Sequence, residues 1–159
     1  STWYTTNDAT FEVTGLQVEV GSQATAFEHR TLGDELELCQ RYFIMFTGNT
    51  TAWRLGYIWV NSATNAYCNF HLPTTMRTIP TQIYTTGTAA DYQVHGASNA
   101  SSGGNQIINS SALPTVHSQS TKHLVQLSFT TAGSLVPGRI AVFRASASSV
   151  YIGIGAELA

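Results

Sequence analysis

From Val150 to Leu158 the apolar residues Val150, Ile152, Ile154, Ala156 and Leu158 occupy every second position, with Tyr151, Gly153, Gly155 and Glu157 between them. A period of two belongs to the β-strand, whose successive side chains point to opposite faces, so this run reads as a strand with one buried face. Further short apolar or alternating runs lie at Tyr42 to Phe46, Ala52 to Val60, Tyr67 to Leu72, Thr81 to Tyr84 and Tyr92 to His95. Others follow at Gln106 to Ile108, His123 to Phe129 and Arg139 to Arg144. Gly, Asn, Ser and Pro separate them, which is the pattern of strands joined by turns, and there are enough for two sheets. The expected fold is all-β, an antiparallel, jelly-roll-like β-sandwich.

Composition supports that reading. Of 159 residues only 10% are charged, against about 25% in an ordinary soluble domain. Ser and Thr, roughly a quarter of the chain, keep the surface polar, and Thr suits a pleated sheet through its branched Cβ. The length allows one domain with a core that needs no disulfide staples. The seven Lys and Arg are scattered singly and the net charge is −2, so no basic stripe exists to neutralise a phosphate backbone, and nucleic acid is not an expected partner. No apolar run approaches the roughly 20 residues of a membrane-spanning helix. Ser1-Thr2-Trp3-Tyr4 lacks the charged and apolar regions of a signal peptide.

Thr10 to Val20 also alternates, but the phase changes at Gly15: Phe11 and Val13 precede it, Leu16, Val18 and Val20 follow. Two strand halves joined by a bulge would accommodate that change. Thr31, Asp34 and Glu35 then mark a helix start, with Arg41 at the opposite end. Leu32, Leu36, Cys39 and Phe43 recur at helical spacing, predicting one short helix near residues 33–42 with its apolar stripe on the sheet. Ala97 to Asn105 holds no apolar residue larger than Ala and reads as a surface loop. The outward Gly153 and Gly155 leave two readings, a close approach by a neighbouring subunit or a local twist or bulge.

Three blocks resemble a known family: Val13-Thr14-Gly15-Leu16-Gln17-Val18-Glu19-Val20-Gly21-Ser22, Ala26-Phe27-Glu28-His29-Arg30 and Glu35-Leu36-Glu37-Leu38-Cys39-Gln40-Arg41-Tyr42-Phe43. They are similar to the joint, in phage tail-fibre and other virion structural proteins, between a jelly-roll-like domain and a small terminal β-domain. Leu72-Pro73, Met76-Arg77-Thr78-Ile79-Pro80-Thr81 and Gly155-Ala156-Glu157-Leu158 resemble that family's terminal domain. The resemblance implies a strand and joint over residues 1–30, at the end of a preceding jelly-roll-like region, and a terminal β-sandwich over 31–159. It also implies a homotrimer assembled in the host cytoplasm, located in the virion among other virion proteins, and contacting a host surface glycan or protein. A purely structural virion component with no host ligand is the alternative. Independently of the name, Gln17, Glu19, Glu28, His29 and Arg30 are expected to pair with each other or with backbone and fix how the strand hands over to the helix.

Residues that could carry chemistry point away from catalysis. The five histidines, His29, His71, His95, His117 and His123, show no metal-ligand spacing, and neither metal nor cofactor is expected. Cys39 and Cys68 allow one bridge, but two separate thiols packed in the core are the commoner arrangement for a protein assembled in a reducing cytoplasm. Of nine acids, all but Asp91 and Glu157 lie within or beside the joint and helix, leaving no carboxylate pair for glycoside hydrolysis. No nucleophile elbow or phosphate loop occurs, so no enzyme is expected. Aromatics are the better lead. Trp53, Leu55, Tyr57 and Trp59 share one face of a regular strand, opposite Arg54, Gly56 and Ile58: wet, that face stacks sugar rings, and dry, it is core. Asp91, Tyr92, Gln93 and His95, beside the Gly-Ser-Asn loop, are the second candidate ligand site.

Overall fold

The computed structural model describes residues 10, 12–23, 25–48, 50–96 and 106–156. Among them one α-helix, α1 (Leu32–Gln40), precedes ten strands: β1 (Phe43–Thr47), β2 (Arg54–Val60), β3 (Asn65–His71), β4 (Gln82–Thr85), β5 (Tyr92–His95), β6 (Ile107–Asn109), β7 (Thr115–Val116), β8 (Leu124–Thr130), β9 (Ile140–Ala145) and β10 (Tyr151–Gly155). The two-residue β7 and a 3-10 turn at Ala89–Asp91 have no counterpart in the hydrophobic pattern. The Ala97–Asn105 loop and the Glu157 and Leu158 positions lie outside the described residues.

The strands form two antiparallel sheets, one ordered β1-β10-β4, the other β6-β5-β9-β2-β3-β8-β7. Alternation places the core between them. In β8, Val125, Leu127 and Phe129 are fully buried while Gln126, Ser128 and Thr130 face outward; β3 does the same with Ala66, Cys68 and Phe70, β9 with Ala141, Phe143 and Ala145. From the smaller sheet, Ile44, Ile152 and Ile154 join the same cluster. Tyr92 ties the sheets together. Its ring lies against Phe143 at 6.2 Å, and its hydroxyl accepts from the Thr86 amide at 3.1 Å while reaching the carbonyls of Thr86 at 2.8 Å and Tyr151 at 2.9 Å.

The outward glycines of β10 have a local explanation. A Cβ on Gly153 would lie 2.7 Å from Phe43 Cζ and 3.2 Å from Tyr84 Cβ, and one on Gly155 3.1 Å from the Tyr84 ring. The rings of Phe43 and Tyr84, from the flanking strands, meet edge-on at 5.7 Å across this gap, so cross-strand aromatics fill the space that glycine leaves. The close approach comes from the chain's own side chains.

The joint departs from expectation in three ways. No strand occurs among the described residues of 10–20: Gly15, at φ +70, turns the chain, but among the described residues the segment pairs with no strand, and a strand needs its ladder. Helix α1 forms as expected, with a Thr31–Asp34 capping box, yet buries none of its residues. It meets the body near its C-terminal end, where Arg77 N–H donates to Arg41 O at 2.8 Å and Thr74 to Glu37 at 3.3 Å, so its apolar stripe does not lie on the sheet. Cys39 is therefore exposed rather than in the core; Cys68 is buried, and both thiols are free.

Of the polar joint residues, Gln17, Glu19, Glu28 and Arg30 pair as expected, whereas His29 meets the Phe27 ring edge-on at 4.9 Å. Glu19 accepts from the Thr25 hydroxyl at 2.6 Å and from Gln17 at 3.2 Å, the Glu28 amide donates to Gln17 at 3.0 Å, and Arg30 bridges Glu28 at 2.6 Å and Glu35 at 3.4 Å. The Thr25 hydrogen bonds hold the Glu19 carboxyl below its usual range, and the Arg30 hydrogen bond and charge do the same for Glu28.

Candidate functional site

Strand β2 decides which aromatics meet solvent. Its pairing with β9 runs Arg54↔Arg144, then Tyr57↔Val142 and Trp59↔Ile140, so one extra residue of β2 is inserted between Arg54 and Tyr57. Both inserted neighbours face inward: Leu55 packs on the core, and a Cβ on Gly56 would meet Phe70 at 3.3 Å and Cys68 at 3.5 Å. A bulge of this kind moves every residue beyond it to the opposite face. Trp53 thus points inward, whereas Tyr57 and Trp59 point out, correcting the single four-residue face expected of a regular strand.

The two sides of that bulge have different energetics. Trp53 is only 8% exposed and packs edge-on against Phe143 at 5.7 Å. Its indole N–H has no acceptor among the described residues. Burying an indole contributes about 5 kcal/mol, at ~25 cal/mol per Å2 over ~200 Å2, against about 1–3 kcal/mol for the orphaned donor, so packing wins. Tyr57 and Trp59, by contrast, remain 76% and 52% exposed. Trp59 stands 6.2 Å from the Tyr67 ring, and Tyr67 stands 4.9 Å from His117. Together they form an aromatic band across β2, β3 and the end of β7.

Hydrogen-bonding groups border the band on the same outer face. Asn69 faces Gln126 across β3 and β8 and accepts from its amide at 2.9 Å. Tyr57, Trp59, Tyr67, Asn69 and Ile140 line an open recess there. On the other side, Gln93 donates to Asn109 at 2.9 Å and accepts from Arg144, and half-buried His95 sits opposite Val142.

Of the second sequence candidate, only Gln93 and His95 reach this face. Tyr92 is fully buried and serves the clamp between sheets; burial raises its hydroxyl pKa. Asp91 caps the 3-10 turn through Thr88 and accepts from Ser146, bonds that hold its carboxyl below the usual range, Ser146 contributing most. Its oxygens are engaged in structure, and it is the sole acid in the sequence between Tyr42 and Ala156. The surface therefore offers stacking planes, amides and cations without a carboxylate pair.

Residues missed by sequence reading are Tyr67, Asn69, His117, Gln126, Arg54 and Arg144. Alternation of Tyr67, Asn69 and His71 with Ala66, Cys68 and Phe70 carried a signal for the outward set, but nothing in it shows that β3 lies beside Trp59. Among the described residues no three His, Cys, Asp or Glu side chains converge as metal ligands, and no helix is long and apolar enough to cross a membrane. Comparison with protein-family models, with curated proteins and with solved structures returned no match.

Proposed function

We propose that this chain is a bacteriophage virion protein without catalytic activity, the tip domain of a trimeric tail fibre that contacts the host surface and binds glycan. The observation that carries the adhesive part is the band in which solvent-exposed Tyr57 and Trp59 stand beside half-buried Tyr67. Flat rings that could bury in a core but stand on a sheet face beside amides suit the apolar faces and hydroxyls of sugars. Each copy would bind weakly, and three copies would gain by effective concentration. The virion assignment rests on the resemblance of the joint to tail-fibre proteins.

The expected result on a glycan array is specific binding by the purified protein that disappears with Trp59→Ala while the melting temperature is retained. Silence across the array would leave the second reading, a structural virion component without a host ligand. One observation favours that reading: the joint exposes Leu16, Val18, Val20, Leu32 and Leu36, with Val18 88% exposed, and apolar surface of that extent is usually covered by a neighbour. Both readings expect association. A stable monomer by light scattering at micromolar concentration would contradict the trimer.

A further inference from the structure

Charge is unevenly divided along this chain. Between Tyr42 and Ala156 the sequence holds five cations, Arg54, Arg77, Lys122, Arg139 and Arg144, against the single anion Asp91, a net of +4; Ser1 to Arg41 holds seven acids and two arginines, a net of −5. Two of the cations lie side by side on the aromatic face, for Arg54 and Arg144 are direct cross-strand partners in β2 and β9. Directly opposed residues of an antiparallel pair share a face with Cβ atoms about 4.5–5.5 Å apart, and like charges so placed repel. No carboxylate relieves them: among the described residues of β2, β3, β5, β6, β8 and β9 there is no Asp or Glu. Among the described residues Arg144 is held by a neutral relay, donating to Gln93, which donates to Asn109.

We propose that the ligand of this face is an acidic glycan, whose carboxylate or phosphate group is clamped by Arg54 and Arg144 while its rings stack on Tyr57 and Trp59; this rests on reading the face as a glycan surface. Two guanidinium forks match the oxygens of either anion, and an anion between them converts mutual repulsion into attraction. Register sets the spacing. Along β9 the partners of Arg54, Tyr57 and Trp59 are Arg144, Val142 and Ile140, so the arginine row lies about 7 Å from Tyr57 and about 13 Å from Trp59 at the usual strand rise. That length suits an oligosaccharide bearing charge at one end of the contact. The acidic joint of a second copy is a poorer occupant, because Glu19 is already bonded to Thr25, Glu28 and Glu35 to Arg30, and Asp34 to Thr31.

Four immobilised probes test this: an oligogalacturonate, its fully methyl-esterified form, a phosphorylated mannopentaose and its dephosphorylated form. The wild-type protein is expected to bind at least one charged probe about tenfold or more tighter than its neutral counterpart, the preference weakening as salt rises. Which charged probe is preferred tells carboxylate from phosphate. R54Q and R144Q should each lose about tenfold on that probe, the double variant should lose the preference altogether, and Trp59→Ala should weaken charged and neutral probes alike. Equal binding of charged and neutral forms, or a preference that survives in the double variant, overturns the inference. If those neutral-type interactions still depend on Trp59, the glycan surface stands and only the acidic class falls. Binding to none of the four overturns the acidic class, and salt-sensitive self-association abolished by R54Q/R144Q would then assign the arginines to a second copy.

Discussion

Replacing Tyr92 with Phe removes one oxygen from the place where the two sheets are tied. That oxygen accepts from one amide and serves two carbonyls, those of Thr86 and Tyr151, at a residue with no exposed surface. The ring packing on Phe143 is retained, so the loss is the unsatisfied backbone groups, about 2 kcal/mol, which lowers the midpoint by roughly 6 °C in a chain of this size. Calorimetry of both proteins at equal concentration reads this directly. The pH dependence separates the mechanism from a general packing defect. Burial raises the Tyr92 pKa in the folded protein, so the hydroxyl stays protonated there while the unfolded chain ionises near its ordinary value of about 10. A raised folded pKa means that the stability supplied is complete below about pH 10 and is lost as pH climbs towards the folded value. The advantage of wild type over Tyr92→Phe should therefore be constant to about pH 10 and shrink above it. All other tyrosines cancel in the comparison. An unchanged midpoint, or a difference that is flat through pH 11, would refute the clamp.

Thiol titration should find Cys39 modified at once and Cys68 only on unfolding, because burial pushes the Cys68 thiol up to about 12 and its Sγ lies 3.1 Å from the Tyr57 carbonyl; two rapidly reacting thiols would contradict the placement of β3. Gly153→Ala should cost about 1–2 kcal/mol by displacing the Phe43 ring, and clearly less in a Phe43→Ala background, while equal costs in a double-mutant cycle would show that the ring is not the obstacle. Asp91→Asn should lose about 1 kcal/mol of capping above pH 5. Because the folded pKa of Asp91 is depressed, its contribution is present above the unfolded value of about 3.9 and fades as pH falls below it; a gap between mutant and wild type that persists to pH 2 in denaturant melts would contradict this.

Strand positions were legible wherever alternation was strict. The run from Val150 sends Val150, Ile152, Ile154 and Ala156 into the core, because a half-buried strand writes its burial directly into its period. Reading failed where the effect depends on something outside the run. The bulge in β2 carries no proline and only one glycine, Gly56; its position is set by pairing with β9, and that alone puts Trp53 inside and Trp59 outside. Arm and helix failed for a related reason. Leu16, Val18, Val20 and the Leu32–Leu36 stripe carry the pattern of elements that bury a face, but no surface of this chain meets that face among the described residues. The candidate site was half legible. Tyr57, Trp59, Gln93 and His95 were visible as residue types, whereas Tyr67, Asn69, Gln126 and the Arg54–Arg144 pair join them only through strand order and register, which local periodicity does not encode.

Trp59, proposed as the ligand-facing ring of a wet sheet, reports that state through its fluorescence. In a Trp3→Phe, Trp53→Phe variant Trp59 is the only indole, and acrylamide should quench it readily in the free protein. Saturation with an oligosaccharide bound by the wild type should protect it and shift its emission, while a Trp53-only variant should resist quenching throughout. Quenching of Trp59 that is unchanged at saturation, or an indole already inaccessible in the free protein, would contradict the claim that this face exists to be covered by a glycan.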